Sequence, residues 1–157
     1  MTNEDKTYYT RRISQGNKSD IIVVVYDIYF SYGEDAKIAL AKKQWDAFDV
    51  AVRHMSEAVR HLMEALDFSY DIAGQLYPLY DFVLRCMSRA LIKREMEPLA
   101  EADRVMKELR EAFIEVAKAD TSGRQMQNAQ TVTAGYTYGR GSLNEMTEGA
   151  YNRGFSA

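Results

Sequence analysis

The chain has 157 residues, of which 46% are hydrophobic and 27% charged, with only two prolines; this bounds one domain and a tail, long enough to bury a real core. A formal charge of −3 argues against nucleic-acid binding, because neutralising a phosphate backbone needs clustered Lys and Arg. The single cysteine, Cys86, excludes an internal disulfide and fits a reducing compartment.

Residues 1–18 have no helical period, contain Gly16 and Asn17, and carry the adjacent pair Tyr8 and Tyr9. They are expected to form an extended arm, either a frayed terminus or a strap that Tyr8 and Ile13 anchor in an apolar groove. The opening MTNEDKTYYTRR lacks the apolar core of a signal peptide. The longest apolar run, Ile21 to Tyr26, is far short of a membrane span. A cytoplasmic protein with no membrane partner is therefore expected.

Ser19 and Asp20 are capping residues ahead of IIVVVYDIYFSYGEDAKIALA. The run of β-branched residues from Ile21 to Val25 suits a strand by propensity, but nothing between residues 45 and 118 reads as a partner strand. As a helix over about 20–42, the segment puts Ile22, Val25, Tyr26, Tyr29, Gly33, Ala36 and Leu40 on one face. A second helix, about 46–66, carries Phe48, Val52, Met55, Val59, Leu62 and Leu66 at 4-3-4-3-4 spacing, the signature of shallow-angle bundle packing. A third, about 72–93, continues it with Ile72, Leu76, Leu79, Val83, Cys86 and Ala90, interrupted by Pro78, which either sits in the first turn or kinks the helix. A fourth, about 97–118, opens with Pro98 in its first turn. Residues 120–157 hold many Gly, Ser, Thr, Asn and Gln and read as an irregular tail. Tyr136, Tyr138, Tyr151 and Phe155 punctuate it. The expected fold is all-α: an antiparallel four-helix bundle over residues 1–119, with an extended N-terminal arm and an irregular C-terminal tail.

The third helix is the most informative. Its large apolar side chains sweep roughly 220° of the helix at about 100° per residue, whereas one core contact needs a stripe only a little over about 100° wide. The surplus calls for a second neighbour or for a segment of another protein.

Catalysis finds little support. His54-x-x-Glu57 and His61-x-x-Glu64 reverse the Glu-x-x-His order of di-metal bundles and share one helix; a solvated charged face explains them. No phosphate-cradling glycine loop, zinc-type cysteine spacing or activated nucleophile is present. No metal, cofactor or enzymatic activity is expected.

The order Tyr8, Tyr26-Asp27, Ala36, Leu66-Asp67, Leu79-Tyr80-Asp81-Phe82 and Phe113 resembles that of the FliS-type flagellar secretion chaperones, over about Tyr8 to Ala117. Lys18 and Ile28 depart from a Pro and a Gly common in that family, and the tail lies outside the resemblance. The resemblance implies a cytoplasmic helical-bundle chaperone that binds the C-terminal segment of flagellin, blocks premature polymerisation and delivers its cargo to the type III export apparatus. It implies an export-gate protein and a co-chaperone as further partners, and a monomer or weak homodimer. On this reading Tyr8 and Ile13 gate the groove, Tyr26, Leu79, Tyr80 and Phe82 contact the bound segment, and Asp27 and Asp81 orient backbone or basic groups. The competing expectation is a structural or adaptor bundle for a different protein partner, in which the same residues are plain core.

Overall fold

A computed structural model describes residues 1–123. Five helices and no strand occur among the described residues: α1 (Asn3–Gln15), α2 (Lys18–Ala41), α3 (Trp45–Glu64), α4 (Asp71–Lys93) and α5 (Met96–Ala119). No helix among them is long and apolar enough to cross a membrane. The proposed tail, 120–157, lies almost wholly outside the described residues.

The N-terminal segment corrects the expected extended arm, because it is helical. Thr2 caps α1 by accepting from the Asp5 amide, and Asp5 returns a bond to the Thr2 backbone. Glu4 and Asp5 in the first turn favour the positive end of the helix dipole. A second reciprocal cap joins Asn17 and Asp20 at the start of α2, so Asn17, rather than Ser19, initiates that helix. Between the two helices stands Gly16, where an added Cβ would lie 2.8 Å from Asp20 Cβ and 3.0 Å from the Arg12 carbonyl oxygen. Only a hydrogen fits there, and this close approach lets α1 fold back at once onto α2.

The other four helices pack in a ring: α2 against α3 and α5, and α4 against the same two, while α1 rests on α2 alone. Paired side chains show α2 and α5 running in opposite directions: Asn17 bonds the Asp120 carbonyl, Asp27 bonds Arg110, and Tyr29 bonds Asp103. The core at the ring's centre holds Tyr26, Ile28, Tyr29, Phe48, Met55, Tyr80, Met87, Leu99 and Met106, all essentially inaccessible to solvent. Burial of such side chains at roughly 1.5–3 kcal/mol each is the main favourable term.

The β-branched run forms a helix because tertiary burial outweighs its modest helical penalty. Val23, Val24, Val25, Tyr26, Ile28 and Tyr29 are all buried. Pro78 lies inside α4, seven residues after its start, on an exposed turn. At the far end of α4, Arg94 adopts a left-handed conformation (φ 55°) and lays its guanidinium over the Trp45 ring at 5.0 Å.

Candidate functional site

The residues marked out in the sequence separate into three groups. The first is internal. Tyr26 on α2 and Tyr80 on α4 meet across the ring, hydroxyl to hydroxyl at 2.6 Å, and both are buried. Phe113 packs on the Tyr26 ring at 5.6 Å between centroids. Burial raises both phenols above their ordinary pKa, so both stay protonated. The pair therefore fastens two helices that do not otherwise adjoin.

The second group lies where α1 crosses α2. Ile13 is fully buried and joins the core, with Tyr9 half-buried beside it. Asp27 is held on both sides: Arg12 of α1 binds one carboxylate oxygen, and Arg110 of α5 binds the other at 2.7 Å. Tyr9 adds a bond to the Asp27 carbonyl at 3.4 Å. Asp27 thus ties three helices together through charge-assisted bonds. Beside this junction an open cleft of about 600 Å³ is lined by Tyr8, Phe30, Ser31, Glu34, Lys107 and Glu111, with Asp27 and its two arginines. Tyr8 itself points largely to solvent, 57% exposed.

The third group is on α4. Leu79 is 39% exposed, Asp81 pairs with Arg85 at 2.8 Å on the surface, and Phe82 is half-buried against the core. Exposed apolar side chains also stand in the α3–α4 connection, Phe68 and Tyr70, and on the first turns of α4, Ile72 and Tyr77, with Tyr77 and Leu79 on opposite sides of the helix. The Phe68 and Tyr77 rings lie 6.0 Å apart.

The structure thus joins Tyr26 to Tyr80 and sets Ile13 and Asp27 at one junction, with Leu79, Asp81 and Phe82 on another flank. The sequence reading missed Arg12 and Arg110, the partners of Asp27, and Tyr9, the tyrosine of the adjacent pair that packs inward. A signal for two of them exists: with Thr2 and Asp5 read as a capping box, Tyr9 and Ile13 fall four apart on one helical face and Arg12 beside them. Elsewhere, His54 and His61 pair with Glu57 and Glu64 one turn along α3, at 3.1 and 3.6 Å.

The family model described as flagellar protein FliS matches residues 1–120. The chain belongs to the FliS family. The match takes in all five helices, α1 included. Membership brings the role of a flagellar chaperone, with flagellin as the partner it implies; FliS is a chaperone family and is not known as an enzyme family. Comparison with curated proteins finds no match.

Proposed function

We propose that this FliS protein binds the C-terminal segment of flagellin along an apolar surface of α2 and α4, keeps it from polymerising, and passes it to the flagellar export apparatus. On this reading α2 to α5 form an antiparallel four-helix bundle and α1 is a strap seated over α2 until the cargo arrives. The observation that carries the reading is the position of α1: it packs on α2 alone, through Ile13, Tyr9 and the Arg12–Asp27 ion pair. A helix with one neighbour and one fully buried side chain is at the low-stability end of a fold. It covers the most apolar helix of the molecule.

Leu79 and Phe82 are then the accessible contacts for the incoming segment. Tyr26 and Tyr80 act from beneath, fixing the spacing of α2 and α4, and Ile13 with Tyr8 gates the surface. Arg12 is the group that leaves Asp27 when the strap lifts, while Arg110 keeps the carboxylate paired. Burial at roughly 25 cal/mol per Å² supplies the affinity, and ordering a disordered segment offsets part of it, which keeps the cargo releasable.

The test is fluorescence anisotropy with a labelled C-terminal flagellin peptide and the full-length chain. Binding with a gain of peptide helicity, weakened at least tenfold by Leu79→Ser, supports the proposal. Absence of binding at tens of micromolar peptide, with the protein folded by circular dichroism, overturns it.

A further inference from the structure

Phe68 and Tyr70 of the α3–α4 connection, with Tyr77 of α4 against Phe68, form an exposed aromatic patch at one end of the bundle. Phe68 and Tyr70, both in the α3–α4 connection, are 64% and 65% exposed, an unusual condition for two large aromatic side chains. Asp67 and Asp71 frame it with negative charge.

The C-terminal tail departs from the same end. Asp120 accepts from the Ser19 hydroxyl at 2.5 Å, and Asn17 donates to the carbonyls of Asp120 and Ser122. The chain's exit is thus pinned to the first turn of α2. Lys18 in that turn lies close enough to Asp67 to act electrostatically on its carboxylate. The exit of the chain and the patch therefore lie at the same end of the bundle.

The chemistry of the tail matches the patch. Residues 124–157 hold three arginines and two glutamates and no aspartate or lysine. Two of the arginines stand beside aromatics, in Tyr136-Thr137-Tyr138-Gly139-Arg140 and in Arg153-Gly154-Phe155. Tyrosines bring apolar area with a polar tip, and arginine pairs with carboxylates while lying over aromatic faces. Tyr136 stands thirteen positions after Gly123, a reach of about 20 Å on random-chain scaling. Attachment at that distance gives the segment an effective concentration on the order of millimolar, enough to seat a weak aromatic contact.

We propose that Tyr136 to Arg140 of this chain dock on the Phe68–Tyr77 patch, the two tyrosines against its aromatic side chains and Arg140 toward Asp67 and Asp71. The tail is then an intramolecular occupant of an exposed apolar surface that α1 does not cover.

The experiment uses the full-length chain with Cys86→Ala, so that engineered thiols are the only ones. Ser69→Cys with Thr137→Cys places one thiol in the patch and one in the docking segment; Ser88→Cys with Thr137→Cys, farther along α4, is the control. Under mild oxidation the 69–137 disulfide is expected to form at least tenfold faster than the 88–137 disulfide, at a rate independent of protein concentration. Adding Tyr136→Ser and Tyr138→Ser should bring it down to the control rate. Equal rates for the two pairs, or no effect of the tyrosine changes, overturn the proposal. A rate that climbs with protein concentration overturns it too, since the occupant is then a second copy. If Cys86→Ala does not fold, a nitroxide on Thr137→Cys with the buried Cys86 retained decides the matter by NMR. Amides of residues 67–79 should broaden more than those of 84–92, and uniform broadening refutes the docking. None of these measurements includes flagellin, so failure here leaves the cargo reading standing, and failure of peptide binding leaves the docking standing.

Discussion

The Tyr26–Tyr80 hydroxyl pair offers a sharp test of how the bundle is held. Replacing either residue with Phe keeps the ring and removes one partner of a buried 2.6 Å bond, leaving the other hydroxyl dry and unpaired. An unsatisfied buried hydroxyl costs about 1–3 kcal/mol. Each single variant, Tyr26→Phe or Tyr80→Phe, is therefore expected to lose about 2 kcal/mol, or about 4–8 °C in Tm for a domain of this size. The double variant removes both polar groups together and leaves two Phe rings in nearly the same volume. Its loss should be under about 1 kcal/mol, well short of the sum of the singles. Urea unfolding followed by circular dichroism gives all four free energies, and the cycle isolates the coupling. Were the double variant to lose as much as both singles added together, the hydroxyls would be acting independently, and the idea that they brace α2 against α4 would fall.

Three further outcomes follow from particular contacts. Ile13→Ser should loosen α1, raising amide exchange over residues 3–15. Because seating Ile13 contributes about 1.5–3 kcal/mol to the closed strap, the same change should tighten flagellin-peptide binding by about 10–100-fold; weaker binding would make α1 part of the site instead of its cover. Two glycines should respond oppositely to alanine: Gly16→Ala forces a 2.8 Å contact with Asp20 Cβ and costs about 1–3 kcal/mol, whereas Gly74→Ala, with open space around its Cβ, adds about 0.5–1 kcal/mol. Urea midpoints moving the same way in both would contradict this. Finally, burial raises the Asp103 carboxyl above its ordinary value of 3.8, against the opposing bond from Tyr29 and the charge of Lys37. A raised carboxyl means that the folded state holds its proton more tightly than the unfolded state. Asp103 therefore detracts from stability above its folded pKa, and this penalty fades as pH falls toward 3.8. The stability of wild type relative to Asp103→Asn should thus decline as pH rises from 4 toward 7; a flat difference would refute the assignment.

The helical character of residues 18–119 was legible because heptad spacing in Phe48–Leu66 and its counterparts reports directly on packing at shallow angles. Even the valine run was legible as helix, by the want of any strand to pair with it. The first helix was not. Its polar sequence offers no wide apolar stripe, since it touches only one neighbour and needs only Tyr9 and Ile13 to do so. The pairing of Asp27 was hidden for a different reason. Arg110 is 83 positions away, and no local rule connects them; only the fold brings α5 alongside α2. The sequence also placed Tyr26 and Tyr80 among the binding residues, and apolar periodicity alone cannot tell a side chain that lines a groove from one that lies beneath it.

Both α2 and α4 carry much apolar surface, and it is resolved differently on each. On α2 it is taken up by three neighbours, α3, α5 and α1, and the buried valines and tyrosines follow from that enclosure. On α4, which has two neighbours, Tyr77 and Leu79 stay in water with Phe68, Tyr70 and Ile72. The first surface can be reached only by unseating a helix, at the expense of Ile13 burial and the Arg12–Asp27 pair. The second stands open along the rest of the bundle. On the proposed reading a segment that engages both meets α4 before α2, and α1 sets a threshold that a brief contact at α4 does not cross. An arrangement of that kind favours a long, two-surface cargo over any short apolar peptide, because only the long segment gains enough at the open side to lift α1.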